Sequence, residues 1–247
     1  MRYHLKLAIF IGLVLCLSLC TTAQEAEETP KWKGDLGLSL TINRGNSDNT
    51  NFSFTFNATG RLSEKIEWVN NGLFQYARTA KVTSAELYQL GTRINWNHTE
   101  RIFSYYDLAG IRDQFKNYAY RFLPGIGAGY KLVNLEYLSF ALKGGLTYAF
   151  TKYYDTEETD SFLGIVVSDE FVWKFSDTAE LNQKWDINLD TSDSKHYLSY
   201  FEVNLLAQLI KSWSVKLTFI NRYDSKPVGE GIKKSDSSFL AGISWKF

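Results

Sequence analysis

The chain has 247 residues, and its 27 Lys and Arg side chains balance its 27 Asp and Glu side chains. This balance gives no support to a nucleic-acid partner, because nucleic-acid phosphates select strongly basic proteins. Both cysteines, Cys16 and Cys20, lie near the N-terminus, and no apolar run of the roughly 18 residues that a membrane helix needs follows them. A disulfide framework and a transmembrane helix are therefore excluded for the rest of the chain.

The first 23 residues have the pattern of a secretory signal peptide. Arg2 and Lys6 precede a mostly apolar stretch over residues 7–20, and residues 21–23 place small side chains where a signal peptidase cleaves. We therefore predict export and cleavage before Gln24. Removing Arg2 and Lys6 lowers the 27 basic side chains to 25, so the mature chain has a net charge of -2.

A lipoprotein acylated at Cys20 is the alternative at this end, but Leu19 is larger than the small residue that usually precedes such a cysteine. Residues 24–31 then form a short acidic lead-in that contains Glu25, Glu27 and Glu28. We predict that this lead-in lies in the periplasm.

From Trp32 onward the sequence predicts β-strands. Aromatic residues make up 16% of the chain, and it has only 3 prolines and no long apolar stripe with helical spacing. Apolar and polar residues alternate instead, as in LNQKWDINLD over residues 181–190. In chain order, such runs start near Trp32, Asn51, Ile66, Glu86, Phe103, Tyr120, Tyr137, Asp160, Glu180, His196, Trp213 and Ser237.

The connections between the runs alternate in length. LSEK, HTER, VNLE, SDTA and IKS are tight, whereas RGNSDNT, TAKVTSA, DQFKN, DTEET, TSDSK and DSKPVGEGIKKSD are mostly longer and polar. We predict an all-β fold for residues 32–247, an antiparallel up-and-down transmembrane β-barrel of about 12 strands with both termini in the periplasm. A soluble barrel or sandwich also alternates, with its apolar face turned inward.

Aromatic residues near strand ends favour the membrane alternative, because they match the girdles at the two membrane interfaces. The apolar face carries Trp68, Tyr76, Trp96, Phe103, Tyr148, Phe150, Trp173, Trp213, Tyr223 and Trp245 at such positions. The C-terminus has the form Gly242-x-x-Trp245-x-Phe247, which resembles the signal that barrel-assembly machinery recognises in outer-membrane proteins. We therefore predict the bacterial outer membrane as the location, with this machinery and outer-membrane lipid, including lipopolysaccharide, as partners.

The polar face of the strands carries many charges, which in a membrane barrel point into the lumen. The lumen-lining candidates are Arg93, Arg121, Lys131, Lys143, Glu170, Lys184, Asp186, Glu202, Lys216 and Arg222. Arg121 with Glu170, or Lys184 and Asp186 with Glu202, are candidate pairs across strands. These charges either fill the bore or line a narrow aqueous path.

Two segments do not fit the alternation. Asp169 falls on the apolar side of its strand, where a lipid-facing charge costs a few kcal/mol. A β-bulge over residues 168–170 is one way to turn it inward. In the run from Phe103 to Asp113, either parity exposes Asp107 or Arg112, so the sequence leaves its register open.

The segment PGIGAGY, residues 124–130, superficially suggests a phosphate-binding loop, but no helix pattern follows it. Gly125, Gly127 and Gly129 all have the parity of the polar face. We therefore predict that they give large lumen side chains of neighbouring strands room to lie across them.

Catalytic signals are weak. His98 and His196 are predicted at opposite rims, so they cannot share a site, and no G-x-S-x-G motif occurs. A lipid hydrolase centred on His196 at the extracellular rim is the alternative hypothesis, with Ser192, Ser194 or Ser199 as nucleophile and Asp190 or Asp193 as the orienting carboxylate. The acidic residues 155–160 lack the glycine and spacing of an EF-hand, so a solvated loop is favoured over a cation site, and no cofactor or metal is predicted.

Four segments resemble a known family: GIRDQF (residues 110–115), YRFLPGIGAGYKL (120–132), SDEFVWKFSDTAELNQ (168–183) and the terminal GISWKF. They are similar to the YdiY-like, salt-induced outer-membrane proteins of domain of unknown function family 481. The resemblance implies an outer-membrane barrel of undefined activity and supplies no catalytic residues. The family name suggests a response to salt or osmotic stress.

The sequence therefore predicts a non-enzymatic envelope protein, either a structural barrel or a narrow pore. The His196-centred lipid hydrolase stays as the alternative from another functional class.

Overall fold

The computed structural model describes residues 32–43, 49–79, 82–154 and 159–247. The predicted signal peptide (1–23), the acidic lead-in (24–31) and residues 155–158 of the acidic loop lie outside these ranges. The strands are β1 (Trp32–Asn43), β2 (Asn49–Arg61), β3 (Ile66–Thr79), β4 (Val82–Asn97), β5 (Ile102–Asp113), β6 (Tyr118–Asn134), β7 (Leu138–Tyr153), β8 (Thr159–Ser176), β9 (Ala179–Asp190), β10 (Tyr197–Ile210), β11 (Trp213–Asp224) and β12 (Ser235–Lys246). A 3₁₀ helix, Gln114–Lys116, joins β5 to β6.

The twelve strands form one closed antiparallel barrel, in which each strand pairs with its neighbours in the chain and β1 pairs with β12. The predicted all-β transmembrane barrel is confirmed, and every strand begins within four residues of its predicted start. Within the described ranges, no helix is long and apolar enough to cross a membrane. The β3–β4 connection differs from the prediction, because β4 begins at Val82 and leaves only residues 80 and 81 between the strands.

The outward faces of the strands are apolar and exposed, as a lipid-facing wall requires. Exposed side chains include Leu40 at 61%, Leu90 at 51%, Trp96 at 52% and Phe239 at 69%. A soluble protein rarely exposes so much contiguous apolar surface. We name the two ends of the barrel by the predicted orientation: the periplasmic end carries Trp32, Phe247 and the tight turns, and the extracellular end carries the opposite set of connections. At the periplasmic end, the rings of Trp32 and Trp68 contact edge to face with centroids 5.6 Å apart.

Phe103 is an exception to the predicted girdle, and its placement there was wrong. Its side chain is only 3% exposed, because β5 turns Phe103, Tyr105 and Asp107 into the barrel. The register left open by the sequence is thereby settled. Arg112 takes the outward parity at the extracellular end of β5, where its guanidinium lies 5.5 Å from the centroid of the Tyr154 ring.

The glycines of residues 124–130 have the predicted structural role. Phe103 lies across Gly129, and Asp107 lies across Gly125. A Cβ atom on Gly127 would lie 2.6 Å from Tyr105 Oη. The missing side chains on β6 therefore make room for the large inward side chains of β5.

Asp169 keeps the outward parity of β8. Its ladder partners are Leu142 on β7 and Trp185 on β9, and the register runs without interruption from Gly164 to Lys174. The bulge considered for residues 168–170 is therefore absent, and Asp169 stays on the outer wall.

Candidate functional site: the bore of the barrel

The inward side chains of all twelve strands meet in the bore, which is the candidate functional site. Many of them are large and fully packed, including Tyr105 and Ile220, each 1% exposed, and Leu87 and Leu206, each 2% exposed. Alternation along each strand directs these side chains inward, and barrel closure brings distant strands within reach of each other. The bore thus contains three sets of contacts that cross it.

The first set is an ion cluster around Glu170. Arg93 of β4 donates two hydrogen bonds to this carboxylate, from Nη1 to Oε1 at 2.6 Å and from Nη2 to Oε2 at 3.1 Å. Lys143 Nζ lies 2.6 Å from the same Oε1. Because β4 and β8 are four strands apart in the barrel, the bidentate Arg93–Glu170 pair spans the bore. Next to it on β9, Lys184 Nζ lies 2.8 Å from Asp186 Oδ2.

The second set is apolar and lies nearer the extracellular end. Leu73 of β3, Leu87 of β4 and Ile220 of β11 form one buried cluster. The partly buried residues packed against it are Ile111, Tyr200 and Leu240. Since these six residues come from strands on both sides of the barrel, the cluster, which we call the apolar layer, crosses the bore.

The third set crosses the barrel at the extracellular mouth. Asp224 at the end of β11 accepts a hydrogen bond from Tyr118 Oη at 2.7 Å and pairs with Arg121 Nη2 at 3.3 Å. The guanidinium of Arg121 also stacks over the Tyr118 ring, 3.9 Å from its centroid, and its Nε donates to Thr151 Oγ1 at 2.7 Å. Because β6 and β11 are five strands apart, the Arg121–Asp224 pair also crosses the bore.

Extracellular loops reinforce this mouth. Lys116, 3% exposed, reaches from the 3₁₀ helix to the β11–β12 hairpin, where Nζ lies 3.1 Å from Lys234 O and 3.0 Å from Asp236 Oδ2. In the neighbouring loops, a hydrogen bond from Lys226 lowers the pKa of the Asp193 carboxyl. A carboxylate with a lowered pKa keeps its interaction at neutral pH and loses it only as the pH falls through that lowered value.

A fourth group of contacts lies at the seam between β1 and β12, near the periplasmic end. Asp35 of β1 pairs with Lys216 Nζ at 2.6 Å and accepts hydrogen bonds from Ser244 Oγ at 3.1 Å and Asn57 Nδ2 at 3.0 Å. A small cavity of about 20 Å³ beside Lys216 is large enough for one water molecule. Asp35 thus ties four strands together where the barrel closes.

The remaining lumen-lining candidates have individual contacts. Arg222 Nη2 donates to Gln75 Oε1 at 3.3 Å, and Glu202 accepts from Asn204 Nδ2 at 2.7 Å and from Tyr200. Lys131 Nζ lies 5.9 Å from the Phe103 ring centroid. The pairing of Arg121 with Glu170 was wrong, because Arg121 binds Asp224 instead. Lys184 and Asp186 pair with each other rather than with Glu202.

His196 lies at the mouth, 8% exposed, between two carboxylates. Its Nδ1 is 3.0 Å from Asp190 Oδ2, and its Nε2 is 3.6 Å from Asp224 Oδ1. Ser192 Oγ donates to Asp190 Oδ1 at 2.6 Å and not to the imidazole. His98, in contrast, contacts Ser104 Oγ at the periplasmic end. At His196, Asp190 therefore takes the orienting position predicted for it. However, Nε2, the nitrogen that would activate a serine, faces Asp224, and no serine among the described residues contacts it.

Several residues of the bore were not identified from the sequence. Asp35 and Asp224 lie on the polar face of their strands, so the alternation already indicated that both side chains point into the bore. Lys116 lies in a connection, where no periodicity indicates its direction. The apolar layer was missed because its members occupy polar-face positions of separate strands.

Some buried polar atoms of the bore have no hydrogen-bond partner among the described residues. They are Gln89 Oε1, Arg93 Nε, Asn95 Oδ1, Asn182 Oδ1, Asn188 Oδ1, Ser214 Oγ, and Nε and Nη1 of Arg222. Such atoms usually bind water in folded proteins. In the part of the chain that the structure describes, no group of three His, Cys, Asp or Glu side chains is arranged to hold a metal ion.

The C-terminal pattern residues complete the seam. Phe247 N donates to Gly34 O and Gly34 N donates to Phe247 O, both at 3.1 Å, and the Trp245 and Phe247 rings are 5.5 Å apart. Gly242 faces the backbone of Leu38 so closely that a Cβ atom would collide with it. The three residues therefore lie where the last strand meets the first.

Solved outer-membrane barrels have the same kind of fold. The NanC porin is 9% identical, with 88% of this chain and 100% of that chain covered and a TM-score of 0.51. The translocator domain of the autotransporter NalP from Neisseria meningitidis is 11% identical, with 100% and 98% covered and a TM-score of 0.47. The KdgM porin is 10% identical, with 87% and 99% covered and a TM-score of 0.46. At these identities the likeness concerns the fold alone.

In sequence comparisons, no curated protein matches the chain. A family model described as "Protein of unknown function, DUF481" matches residues 36–247. The match includes β2 to β12 completely and β1 from Leu36.

Proposed function

This chain belongs to the DUF481 family, and we propose that it is a non-enzymatic barrel of the bacterial outer membrane whose bore is closed at rest by its own side chains. It works as a structural component of the envelope. The apolar layer carries this proposal, because Leu73, Leu87 and Ile220 meet across the bore and form an apolar constriction that opposes the passage of ions.

Planar-bilayer recording tests the proposal. The purified protein is reconstituted over a range of salt concentrations and voltages, and its insertion is verified by the heat-dependent mobility shift of folded barrels on gels. We expect no discrete conductance steps. Reproducible steps from folded, inserted protein would show that the bore is open and replace the structural role by that of a pore.

A narrow pore is the second candidate, and the unpartnered polar atoms of the bore favour it. Gln89 Oε1, Asn95 Oδ1 and Ser214 Oγ have no partner among the described residues, so water is expected beside them. Asn95 and Ser214, near the periplasmic ends of β4 and β11, support a hydrated segment below the apolar layer. Gln89, the ladder partner of Leu73, supports a second one at that layer. The two candidates differ only in whether those segments connect, which the same recording measures.

The lipid hydrolase centred on His196 is disfavoured by geometry, because Nε2, the nitrogen that would activate a serine, faces Asp224 instead. The test is fatty-acid release from phospholipid vesicles by the purified protein and by the His196→Ala variant. We expect no release by either. Activity in the wild type that disappears in the variant would overturn the non-enzymatic proposal.

Outer-membrane location, removal of a signal peptide before Gln24, and assembly by the barrel-assembly machinery are part of the proposal. The barrel fold, the residues of the first 23 positions and the Gly242-x-x-Trp245-x-Phe247 pattern support them. Lipopolysaccharide is the proposed outer-leaflet partner, since Arg112 and Lys152 have the outward parity near the extracellular end. Membrane fractionation with N-terminal sequencing of the mature protein tests location and cleavage together.

A role in salt or osmotic stress rests on the family resemblance alone. A deletion strain grown at graded salt concentrations, with and without a plasmid copy, tests it. Growth equal to that of the parent strain at every concentration would remove this part of the proposal.

A further inference from the structure

Asp169 carries a carboxylate on the lipid-facing wall of β8. On the same face, Val167 is 50% exposed and Trp173 is 44% exposed, and the neighbours across the ladder are Leu142 and Trp185. Trp173 lies four residues nearer the periplasm, about 13 Å along the strand at ~3.3 Å per residue. The short Asp169 side chain cannot reach the interface from there, so it requires a partner within the apolar band.

Gln183 on β9 is a second polar side chain on this wall. It shares the outward parity of Leu181 and Trp185 and lies opposite Phe171. Since Trp185 lies opposite Asp169, Gln183 is its diagonal neighbour, about 7–8 Å away. Within the described residues, neither Asp169 nor Gln183 forms a side-chain hydrogen bond or ion pair.

The two side chains lie at about the same depth in the membrane. The row of ladder partners that contains them runs through Leu142, Asp169, Trp185, Phe201, Asn221 and Ser237. It starts four residues from the periplasmic end of β7 and finishes two residues from the extracellular end of β12. The row therefore rises from β7 to β12, as the tilt of barrel strands requires. Trp185 lies above Asp169, and Gln183, two residues nearer the periplasm, lies level with it.

We propose that this wall is a homodimer interface in which Asp169 of each barrel pairs with Gln183 of the other. Two copies inserted in the same direction are related by a two-fold axis along the membrane normal. If this axis passes between Asp169 and Gln183, which lie at the same depth, Asp169 of one barrel faces Gln183 of the other, and the reverse. The Gln183 amide then donates to the Asp169 carboxylate twice, by symmetry, and both polar side chains acquire a partner.

The residues along the axis fit this arrangement. Asp169, Trp185, Phe171 and Gln183 form two neighbouring ladder pairs. The diagonal from Phe171 to Trp185 runs along the membrane normal and therefore lies on the two-fold axis. Each of these two aromatic residues meets the same residue of the other barrel. Stacked sheets lie about 10 Å apart, a gap that an Asp and a Gln side chain joined by one hydrogen bond can bridge. Aromatic packing on the axis and reciprocal hydrogen bonds beside it make the surface self-complementary.

Single-cysteine cross-linking tests the interface, because the sequence after residue 23 contains no cysteine. In native outer membranes, Phe171→Cys and Trp185→Cys are expected to give a covalent homodimer with a short bifunctional thiol reagent. Such a reagent spans the ~10 Å between facing walls, whereas a direct disulfide needs Cα atoms within about 7 Å of each other. The matched control is Leu90→Cys, which is equally lipid-facing, at 51% exposed, but lies on β4 across the barrel. It is expected to stay monomeric. Equal cross-linking at all three positions, or none at Phe171 and Trp185, overturns the proposal.

A charge swap tests the pairing itself in the Phe171→Cys background. Gln183→Asp places carboxylates opposite carboxylates, and we expect at least a tenfold loss of cross-linked dimer. Adding Asp169→Gln restores the reciprocal amide–carboxylate pairs and is expected to restore the dimer. If the double variant stays as weak as Gln183→Asp while both show the heat-dependent shift of a folded barrel, the pairing is wrong. These readouts do not depend on conductance, so they fail independently of the proposed function.

Discussion

Glu170 neutralises two cations inside the barrel, and its removal is the sharpest single-residue test of the bore. The carboxylate holds both Arg93 and Lys143, whose side chains are 14% and 3% exposed. A buried cation without its partner costs more than the lost hydrogen bond, because it has already given up its water.

We predict that Glu170→Gln lowers the free energy of unfolding by about 2–3 kcal/mol. Urea unfolding in detergent micelles, followed by tryptophan fluorescence, measures it. The matched control is Glu180→Gln, whose partner Lys246 is 39% exposed at the periplasmic rim. For this exposed pair we expect a loss of ~1 kcal/mol or less. Similar losses in both variants would contradict a buried bridge at Glu170.

A second residue-scale prediction concerns Gly127. Gly127→Ala places a methyl group against Tyr105 Oη and the backbone of Gly144, and overpacking of this kind costs about 1–3 kcal/mol. Gly144→Ala on the outward face is the control, since its nearest neighbour would be Val166 O at 4.0 Å. Unfolding midpoints in urea compare the two. Equal stability would show that β6 and β5 are not packed together in the bore.

At the residue scale, the sequence predicted those features that depend only on whether a side chain of a strand points inward or outward. Alternation identified the polar faces of the strands, and the glycines of residues 124–130 had the predicted role. It failed for Phe103, because an aromatic residue near a strand end suits a girdle and a packed bore equally well. The partners of Arg93 and Arg121 were beyond reach, since they lie on strands four and five positions away in the barrel.

At the scale of elements, β12 determines whether the barrel closes. The β1–β12 register has few direct partners, Asp35 to Leu38 with Ile243 to Lys246, and the two Gly34–Phe247 hydrogen bonds extend it. Strand order, strand starts and the tight turns were predicted from the alternation. The direction of Lys116 was not, because a connection has no period that reveals where its side chains point.

We predict that deleting Phe247 impairs insertion in cells far more than its contact area suggests. The deletion removes both hydrogen bonds to Gly34 and also the aromatic end of the proposed assembly signal. The measurement is the fraction of heat-shifted, folded protein in outer membranes, compared with refolding of the same variant into detergent. Phe247→Tyr, which keeps the backbone and the ring, is the control. An equal defect in cells and in detergent would assign Phe247 a seam role only.

At the scale of the whole molecule, two contact sets that cross the bore in series are its proposed closures. The apolar layer lies below the Arg121–Asp224 mouth, and each crosses from one side of the barrel to the other. The sequence predicted a choice between a filled bore and a narrow path but could not decide it. That outcome depends on how side-chain volumes from opposite walls fit together, and parity along one strand contains no such information.

If the two barriers act in series, a variant that lacks only one of them does not conduct. We expect Arg121→Ser alone and the pair Leu73→Ser and Ile220→Ser alone to remain silent in planar bilayers. The triple variant is expected to give discrete steps, because small hydroxyl side chains hydrate the apolar layer while the mouth loses its bridge. The control is the double variant Arg121→Ser and Leu90→Ser, in which the second change lies on the outer wall of β4 instead of in the apolar layer. We expect it to stay silent. Conduction by one of the partial variants would show that the other closure is not a barrier, whereas silence of a folded triple variant would place the block elsewhere in the bore.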